Sequence, residues 1–352
     1  MPRFGAVCFL FAALLLATLP AGEEKQQPEH VAVEGILIGP PLAFRNLTIF
    51  PLYLSKAQEV PDYITLKEAQ EKKLVVVREM GGEAQQAQPP RQQAQQQRRQ
   101  GGAQVNAVVV ENKSKRPLYI LAGEVIIGGK QDRVVTRDTI VPPGKKKIVE
   151  VCCVEQGRWS PRNQASAQTF NASKRVAQAC LRKVTQSMGK KGQSQVWEEV
   201  RKQAKNLKAE SPTQTYKEVL EKTEALTKRY KAAFMKALAG DRKICGFLVA
   251  INGKFWVCDL FCSPKLLAKF SDMLLAGYAT DAVAERPDRA WRPATLQDAK
   301  KFLQDLLSGK KSVLLKDAER VLYKTEGQKS VGFQTHLKGL GLLHLNAFMK
   351  KK

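Results

Sequence analysis

Apolar residues along this chain follow two rhythms. "NLTIFPLYL" (46–54) is an almost unbroken apolar run and predicts a buried strand. "DYITLKEAQEKKLVVVRE" predicts a short strand, a small helix opening at Thr65 and a second strand. "VNAVVVEN", "PLYILAG" and "KKKIVEVCCV" read as further strands, with shorter ones at "EVII" and "RVVT" and a turn at "VPPGK". Short strands between turn signals predict a sandwich-like antiparallel sheet. One stretch breaks the rhythm. "EAQQAQPPRQQAQQQRRQGGAQ" (83–104) has no apolar periodicity and reads as a disordered Gln-rich loop between strands.

After Trp159 the spacing becomes helical. A helix is predicted from Ser173 to near Gly189, with Val176, Cys180, Leu181, Val184 and Met188 on one stripe. Ser194 caps a second, which carries Val196, Trp197, Val200, Ala204 and Leu207. Ser211-Pro212-Thr213-Gln214 reads as a capping box with proline at the first helical position. It opens a long helix with Tyr216, Val219, Leu220, Leu226, Tyr230, Phe234 and Leu238 on one face, stopped by Gly240. "CGFLVAINGKFWVCDLF" predicts a hairpin about Asn252-Gly253. Pairing Ile251 with Lys254 places Cys245, Phe247, Val249, Trp256, Cys258 and Leu260 on one face. Leu248, Ala250, Phe255, Val257 and Phe261 take the other, so both faces are apolar and the hairpin is internal. Ser263-Pro264 opens another helix, "TLQDAKKFLQDLLSGK" one more, and "LKDAERVLYK" and "GLLHLNAF" supply final strands.

The predicted fold class is α+β. It has an antiparallel sandwich-like β-rich N-terminal half, central amphipathic helices, and a C-terminal β-hairpin with helices. The predicted segments are a tail (22–44), a β-rich domain (45–160), a basic helical segment (161–240) and an α+β part (241–352) packed with the rest.

Charge changes this picture. The 352 residues include 58 Lys and Arg against 33 Asp and Glu, a net +25. Such an excess favours an anionic small molecule or an anionic envelope polymer as partner. No nucleic-acid motif is present, and 7% aromatics is thin for base stacking, so no specific nucleic acid is expected. Residues 172–240 hold 16 Lys or Arg and six Asp or Glu, which is either a docking face or the polar side of amphipathic helices. The first residues read as a secretory signal. "MPR" is a positive head, "FGAVCFLFAALLLATL" an apolar run, and "PAG" supplies small residues for cleavage near Ala21. The run is short for a membrane span and no second one approaches that length. The expected location is outside the cytoplasm, periplasmic or secreted.

Export permits disulfides among Cys152, Cys153, Cys180, Cys245, Cys258 and Cys262. Cys152 and Cys153 are adjacent in a strand and should face opposite ways. The hairpin register makes Cys245 and Cys258 diagonal neighbours and a possible disulfide. Cys258-x3-Cys262 is half a metal motif without a second half, so no metal and no cofactor is expected. His30, His336 and His344 fit no Ser-His-Asp pattern and no nucleophile elbow is visible. "GEVIIGGKQ" (123–131) approaches a phosphate-binding loop, but its lysine comes one place late and Gln131 replaces the Ser or Thr that holds magnesium.

Two polar clusters remain. One comprises Glu124, Lys130, Gln131, Asp132 and Arg133, the other Glu155, Gln156, Arg158 and Trp159. Both flank strands that should share a sheet. If their ends meet, arginines could take anionic oxygens and the indole could stack on a phosphate-bearing or sugar ligand. Glu124 and Glu155 could serve as acid and base. The structural alternative is an ion-pair network that braces the strand ends.

"GEVIIGGKQDRVV", "TIVPPGKKKIVEVCCVEQGRW" and "FLVAINGKFWVCDLF" resemble the domain family named for association with ADP-ribosylglycohydrolases and rhodanese-phosphatases. The resemblance spans about residues 45–348. Its marks are Gly123, Glu124, Gly128 or Gly129, Lys130, Gln131, Arg133, Cys153, Glu155, Gln156, Gly157, Arg158 and Trp159. Where the family tends to read "GEE" and "KQN", Val125 and Asp132 stand here, which weakens a paired-carboxylate enzyme. The resemblance implies a domain of unknown function with some link to nucleotide-derived or phosphate-handling chemistry. The expected function is ligand or partner binding without catalysis. The alternative is a hydrolase acting on a phosphate- or sugar-containing compound.

Overall fold

The computed structural model describes residues 30–80, 106–158, 160–161, 169–187, 192–285 and 290–350. The predicted signal, the Gln-rich loop, Trp159 and Met188 lie outside these residues. The chain opens with β1 (Val31–Val33), β2 (Ile36–Ile38), β3 (Leu42–Phe44) and β4 (Leu47–Leu54). Next come β5 (Ile64–Thr65), α1 (Leu66–Glu71), β6 (Val75–Glu79), β7 (Ala107–Asn112), β8 (Leu118–Ile120), β9 (Glu124–Gly128) and β10 (Arg133–Val135). β11 (Thr139–Val141), β12 (Lys146–Cys153) and β13 (Phe170–Val176) lead into α2 (Ala179–Gln186), α3 (Gly192–Asn206) and α4 (Tyr216–Ala237). β14 (Gly246–Ile251), β15 (Lys254–Phe261), α5 (Pro264–Ala284) and α6 (Leu296–Leu307) follow, then β16 (Lys310–Lys316), β17 (Arg320–Glu326), β18 (Ser330–Leu337) and β19 (Gly341–Met349).

The fold is α+β, as its periodicity predicts. Its β-rich part is a sandwich: a six-stranded sheet ordered β13-β9-β10-β12-β7-β6 faces a three-stranded sheet ordered β11-β8-β5. Alternation along the strands separates two cores. Ile126, Val135, Val149 and Val151 point into the sandwich with Leu118 and Ile120. Val125, Val134, Cys152 and Val154 point the other way, under Leu181, Val196, Val200 and Val219 of the helices. Cys152 therefore faces the helical side, as the adjacent-cysteine argument requires.

The second sheet has ten strands. Its path is β1-β2-β4-β14-β15-β19-β18-β17-β16, with β3 also on β4. Helix α5 covers one face through Phe270, Leu274 and Tyr278, packed with Phe247, Val249 and Val257. Helix α6 covers the other through Phe302, Leu303 and Leu306, packed with Leu248, Leu260 and Leu345.

Several expectations change, among them the Ser194 cap, since α3 already begins at Gly192. The tail 22–44 is not a tail from residue 31 onward, because β1 and β2 bury Val31, Val33, Ile36 and Ile38 in the large sheet. β4 pairs with β14 along its length, so the β-rich half does not begin at residue 45. The helix predicted from Ser173 begins only at Ala179, because residues up to Val176 are strand β13, held on β9 and clamped by the Gln70 amide through the Phe170 carbonyl and the Ala172 N–H. The long helix is capped by Thr215 rather than Ser211, since residues 211–214 form a turn against the end of β12.

The hairpin forms at Asn252-Gly253, both with positive φ (50° and 71°), with Ile251 opposite Lys254 as predicted. A bulge then shifts the register, pairing Ala250 with Phe255 and Val249 with Val257. Cys258 consequently lies opposite Leu248, and Cys245 precedes the strand. The Cys245–Cys258 disulfide is not formed, and none links any of the described cysteines.

Candidate functional site

The two polar clusters meet, but as a brace. Arg158, just past β12, places Nη2 at 2.7 Å from Glu155 Oε2 and 3.4 Å from Asp132 Oδ1. Its Nη1 donates to the carbonyls of Gly129 and Ser160, both at 2.7 Å. Asp132 also accepts from Gly128 N–H at 3.0 Å and from the Thr215 hydroxyl at 2.8 Å. The Gln131 amide donates to the Glu155 carbonyl at 2.6 Å. Arg158 is 7% exposed, and Glu155, Gln131 and Asp132 are fully buried. Gly157 permits this closure, because a Cβ there would lie 3.0 Å from Thr213 Cα and 3.1 Å from the Pro212 carbonyl. "VEQGR" thus ties a strand end to the start of α4.

The other predicted residues scatter. Arg133 faces the opposite side of the sheet, where Nη2 takes both oxygens of Glu79 at 3.0 and 2.9 Å and Nη1 meets Cys153 Sγ at 3.1 Å. Glu79 also accepts the Lys130 backbone N–H at 2.9 Å. The Lys130 side chain is half-buried at the rim, and the half-buried Gln156 amide takes Arg201 of α3. Glu124 is buried apart from both groups. Its Oε1 accepts Leu121 N–H at 2.8 Å, while Oε2 has no partner among the described residues. Burial, against the Leu121 hydrogen bond and with Asp138 nearby, pushes its carboxyl up to about 8.

Periodicity alone misses a second buried network between the two sheets. His344 joins Asp138 (Nδ1, 2.9 Å) to Asp259 (Nε2, 3.2 Å) and stacks on Phe261 at 4.3 Å. Asp259 also takes Arg182 at 2.6 Å, the Tyr278 hydroxyl at 2.6 Å and the Asn346 amide at 2.8 Å. Burial alone would lower the His344 value, but Asp138 and Asp259 hold it up to about 9. Burial alone would raise the Asp259 value, yet Arg182 and His344 hold it far below the usual carboxylate range. The sequence signal is a polar residue or two inside an apolar strand: Asp259 in "FWVCDLF", His344 and Asn346 in "GLLHLNAF".

An open groove of about 870 Å³ lies elsewhere, where α2, the hairpin, α6 and the end of β19 meet. Phe255, Trp256, Phe302, Phe348 and Cys180 form its apolar wall. Lys183, Lys254, Arg292, Lys301, Lys329 and Lys350 surround it. Its two carboxylates are already engaged. Asp298 takes the Thr295 cap and Arg292 at 2.8 Å, and Asp305 takes the Ser330 hydroxyl at 2.6 Å. The groove is therefore electropositive over an aromatic floor. Its residues run from 179 to 350, and no short motif could announce them. Among the described residues no three His, Cys, Asp or Glu side chains gather as metal ligands. No described helix is long and apolar enough to cross a membrane.

Fold and sites define an α+β domain with two buried ion networks and a basic, aromatic-floored groove. The chain belongs to the family of the ARG and Rhodanese-Phosphatase-superfamily-associated Protein domain, which it matches over residues 35–348. No curated protein and no solved structure matches it.

Proposed function

We propose that the chain is a non-enzymatic binding domain whose ligand is an anion with a flat or apolar portion, seated in the groove between α2, the β14–β15 hairpin and α6. The supporting observation is the set of six Lys and Arg side chains that line the groove with Phe255, Trp256 and Phe348, of which Arg292 alone is shared with a groove carboxylate, Asp298. Cations supply charge-assisted hydrogen bonds to oxyanions, and the aromatic wall takes the apolar part. The strand-end residues Glu155 and Arg158 contribute indirectly, by fixing the helical layer to the sheet.

Calorimetry with phenyl phosphate and with neutral phenol tests this reading. Phenyl phosphate should bind and phenol should not; Lys301→Glu should weaken binding at least about tenfold, since that is 1.4 kcal/mol. Equal affinity for both compounds, or binding untouched by Lys301→Glu and Trp256→Ala, overturns it. We also propose that the chain is exported, on the strength of the apolar run ending near Ala21. N-terminal sequencing should then begin near Gly22, and an intact Met1 on the intracellular protein would refute export.

A further inference from the structure

A second, smaller cavity of about 190 Å³ lies on another part of the molecule, between α1, β13 and α5. Its lining includes Thr65, Glu124, Lys174, Lys269 and Met273. Glu124 is 1% exposed, and the carboxyl oxygen that does not bind Leu121 has no partner among the described residues. A buried polar atom left without a partner costs about 1–3 kcal/mol, so its persistence beside a cavity asks for an occupant.

We propose that this cavity is a binding site for a small oxyanion, a carboxylate or a tetrahedral oxyanion, whose oxygen accepts a hydrogen bond from Glu124 Oε2. The Leu121 N–H occupies Oε1 as an acceptor, so the proton of a neutral Glu124 belongs on Oε2. Burial keeps that proton in place at neutral pH, with a value of about 8. A neutral carboxyl can then donate towards an anion, where an ionised one would repel it. Thr65 offers a hydroxyl proton, since its oxygen already accepts from Glu68 N–H at 3.2 Å.

Facing charges set the sign of the site. From α1 come Lys67, Glu68 and Glu71, from β13 Lys174, and from α5 Lys269 and Asp272. Each of the acids already has a cation: Glu71 takes Lys67 at 3.5 Å, Glu68 takes Arg116 at 2.9 Å and Lys72 at 3.1 Å, and Asp272 takes Lys231 at 2.7 Å. Lys269 bridges Asp62 at 3.2 Å and Glu68 at 3.9 Å. Behind Glu124 stands Asp138, which opposes its ionisation. Lys174 is exposed at the mouth, beside Glu224 of α4, which also takes Arg175 at 2.7 Å and Lys228 at 3.2 Å, and we assign Lys174 the anion's charge.

Acetate and sulfate are suitable probes, because neither changes charge between pH 6 and 9, and they separate a planar from a tetrahedral ligand. Calorimetric titrations of the full chain should show one or both binding at pH 6. The affinity should fall about tenfold by pH 9, as Glu124 loses its proton. Glu124→Gln, which keeps a donor, should bind with little pH dependence; Glu124→Leu and Lys174→Ala should each weaken binding at least about tenfold. The carbon-13 resonance of the Glu124 carboxyl should titrate near 8 and move upward with the anion present, a readout that needs no variant. Failure of both anions to bind at 50 mM, or wild-type binding that is flat from pH 6 to 9, overturns the proposal. Because this cavity shares no lining residue with the basic groove, loss of one site leaves the other testable.

Discussion

Arg158 and Lys130 lie close in sequence to the same strand ends, yet alanine should treat them differently. Arg158 holds two fully buried carboxylates, Glu155 and Asp132, and three carbonyls. Arg158→Ala removes a buried guanidinium from both acids, a loss of about 3–5 kcal/mol. Lys130 meets its neighbours through its backbone N–H, which alanine keeps. Lys130→Ala should cost less than about 0.5 kcal/mol. Urea denaturation of the two variants checks the contrast, and equal midpoints would contradict it. At this scale the sequence was legible in identity but not in direction. Glu124, Gln131, Arg133, Glu155 and Arg158 were all recognisable as polar residues at strand ends. Which face each occupied depended on register, and one residue of offset sends Arg133 to Glu79 and Asp132 to Arg158.

Among elements, the pairing of β6 with β7 sets a test for the Gln-rich insertion. Glu79 lies opposite Val108, so the strand ends that the insertion joins are already neighbours. Each doubling of a loop costs only about 0.6 kcal/mol of closure entropy. Replacing residues 82–105 by a short Gly-Asn turn should therefore leave the melting temperature unchanged or raise it by a few degrees. A clear fall in a thermal scan would show that the insertion contributes packing. The hairpin at Asn252-Gly253 was readable because its turn is local. The bulge after it, between the Ala250–Phe255 and Val249–Val257 pairs, carries no such local signal. Ser173 failed for the same reason. A helical stripe competed with a ladder to the distant β9, and the ladder won as far as Val176, after which the helix forms from Ala179.

For the whole molecule, buried titrating groups set the pH response. Glu124 rises from 4.5 to about 8, Asp281 from 3.8 to about 7, and His344 from 6.5 to about 9. Burial is the leading cause for both acids, opposed by the N–H groups of Leu121 and Ala179; for His344 the two aspartates overcome burial. The folded state thus holds protons that the unfolded chain releases. Their stabilisation is complete below the ordinary values and is lost as pH climbs through 7, 8 and 9. Asp138 and Asp259 are lowered and act oppositely, losing their contribution as pH falls below 3.8. Stability should peak at about pH 4, and the melting temperature should drop by about 10 °C or more by pH 9.5. Differential scanning calorimetry across that range checks this, and a flat or rising profile from pH 6 to 9 would refute it. Glu124→Gln should flatten the fall up to pH 8. The α+β class was legible because both periods are plain in the chain. The division into successive domains was not, because β4 crosses to β14. That crossing also constrains how the protein is made. A ribosome that has finished Leu54 must add roughly 190 residues before Gly246, the first residue of β14, exists. At about 5–20 residues per second, β4 waits roughly 10–40 s with its inner edge open. Throughout that interval the nascent chain carries Leu47, Ile49, Phe50 and Leu52 without the strand that will cover them. Synthesis rather than final stability is then the stage at which this protein is most exposed to wrong pairing.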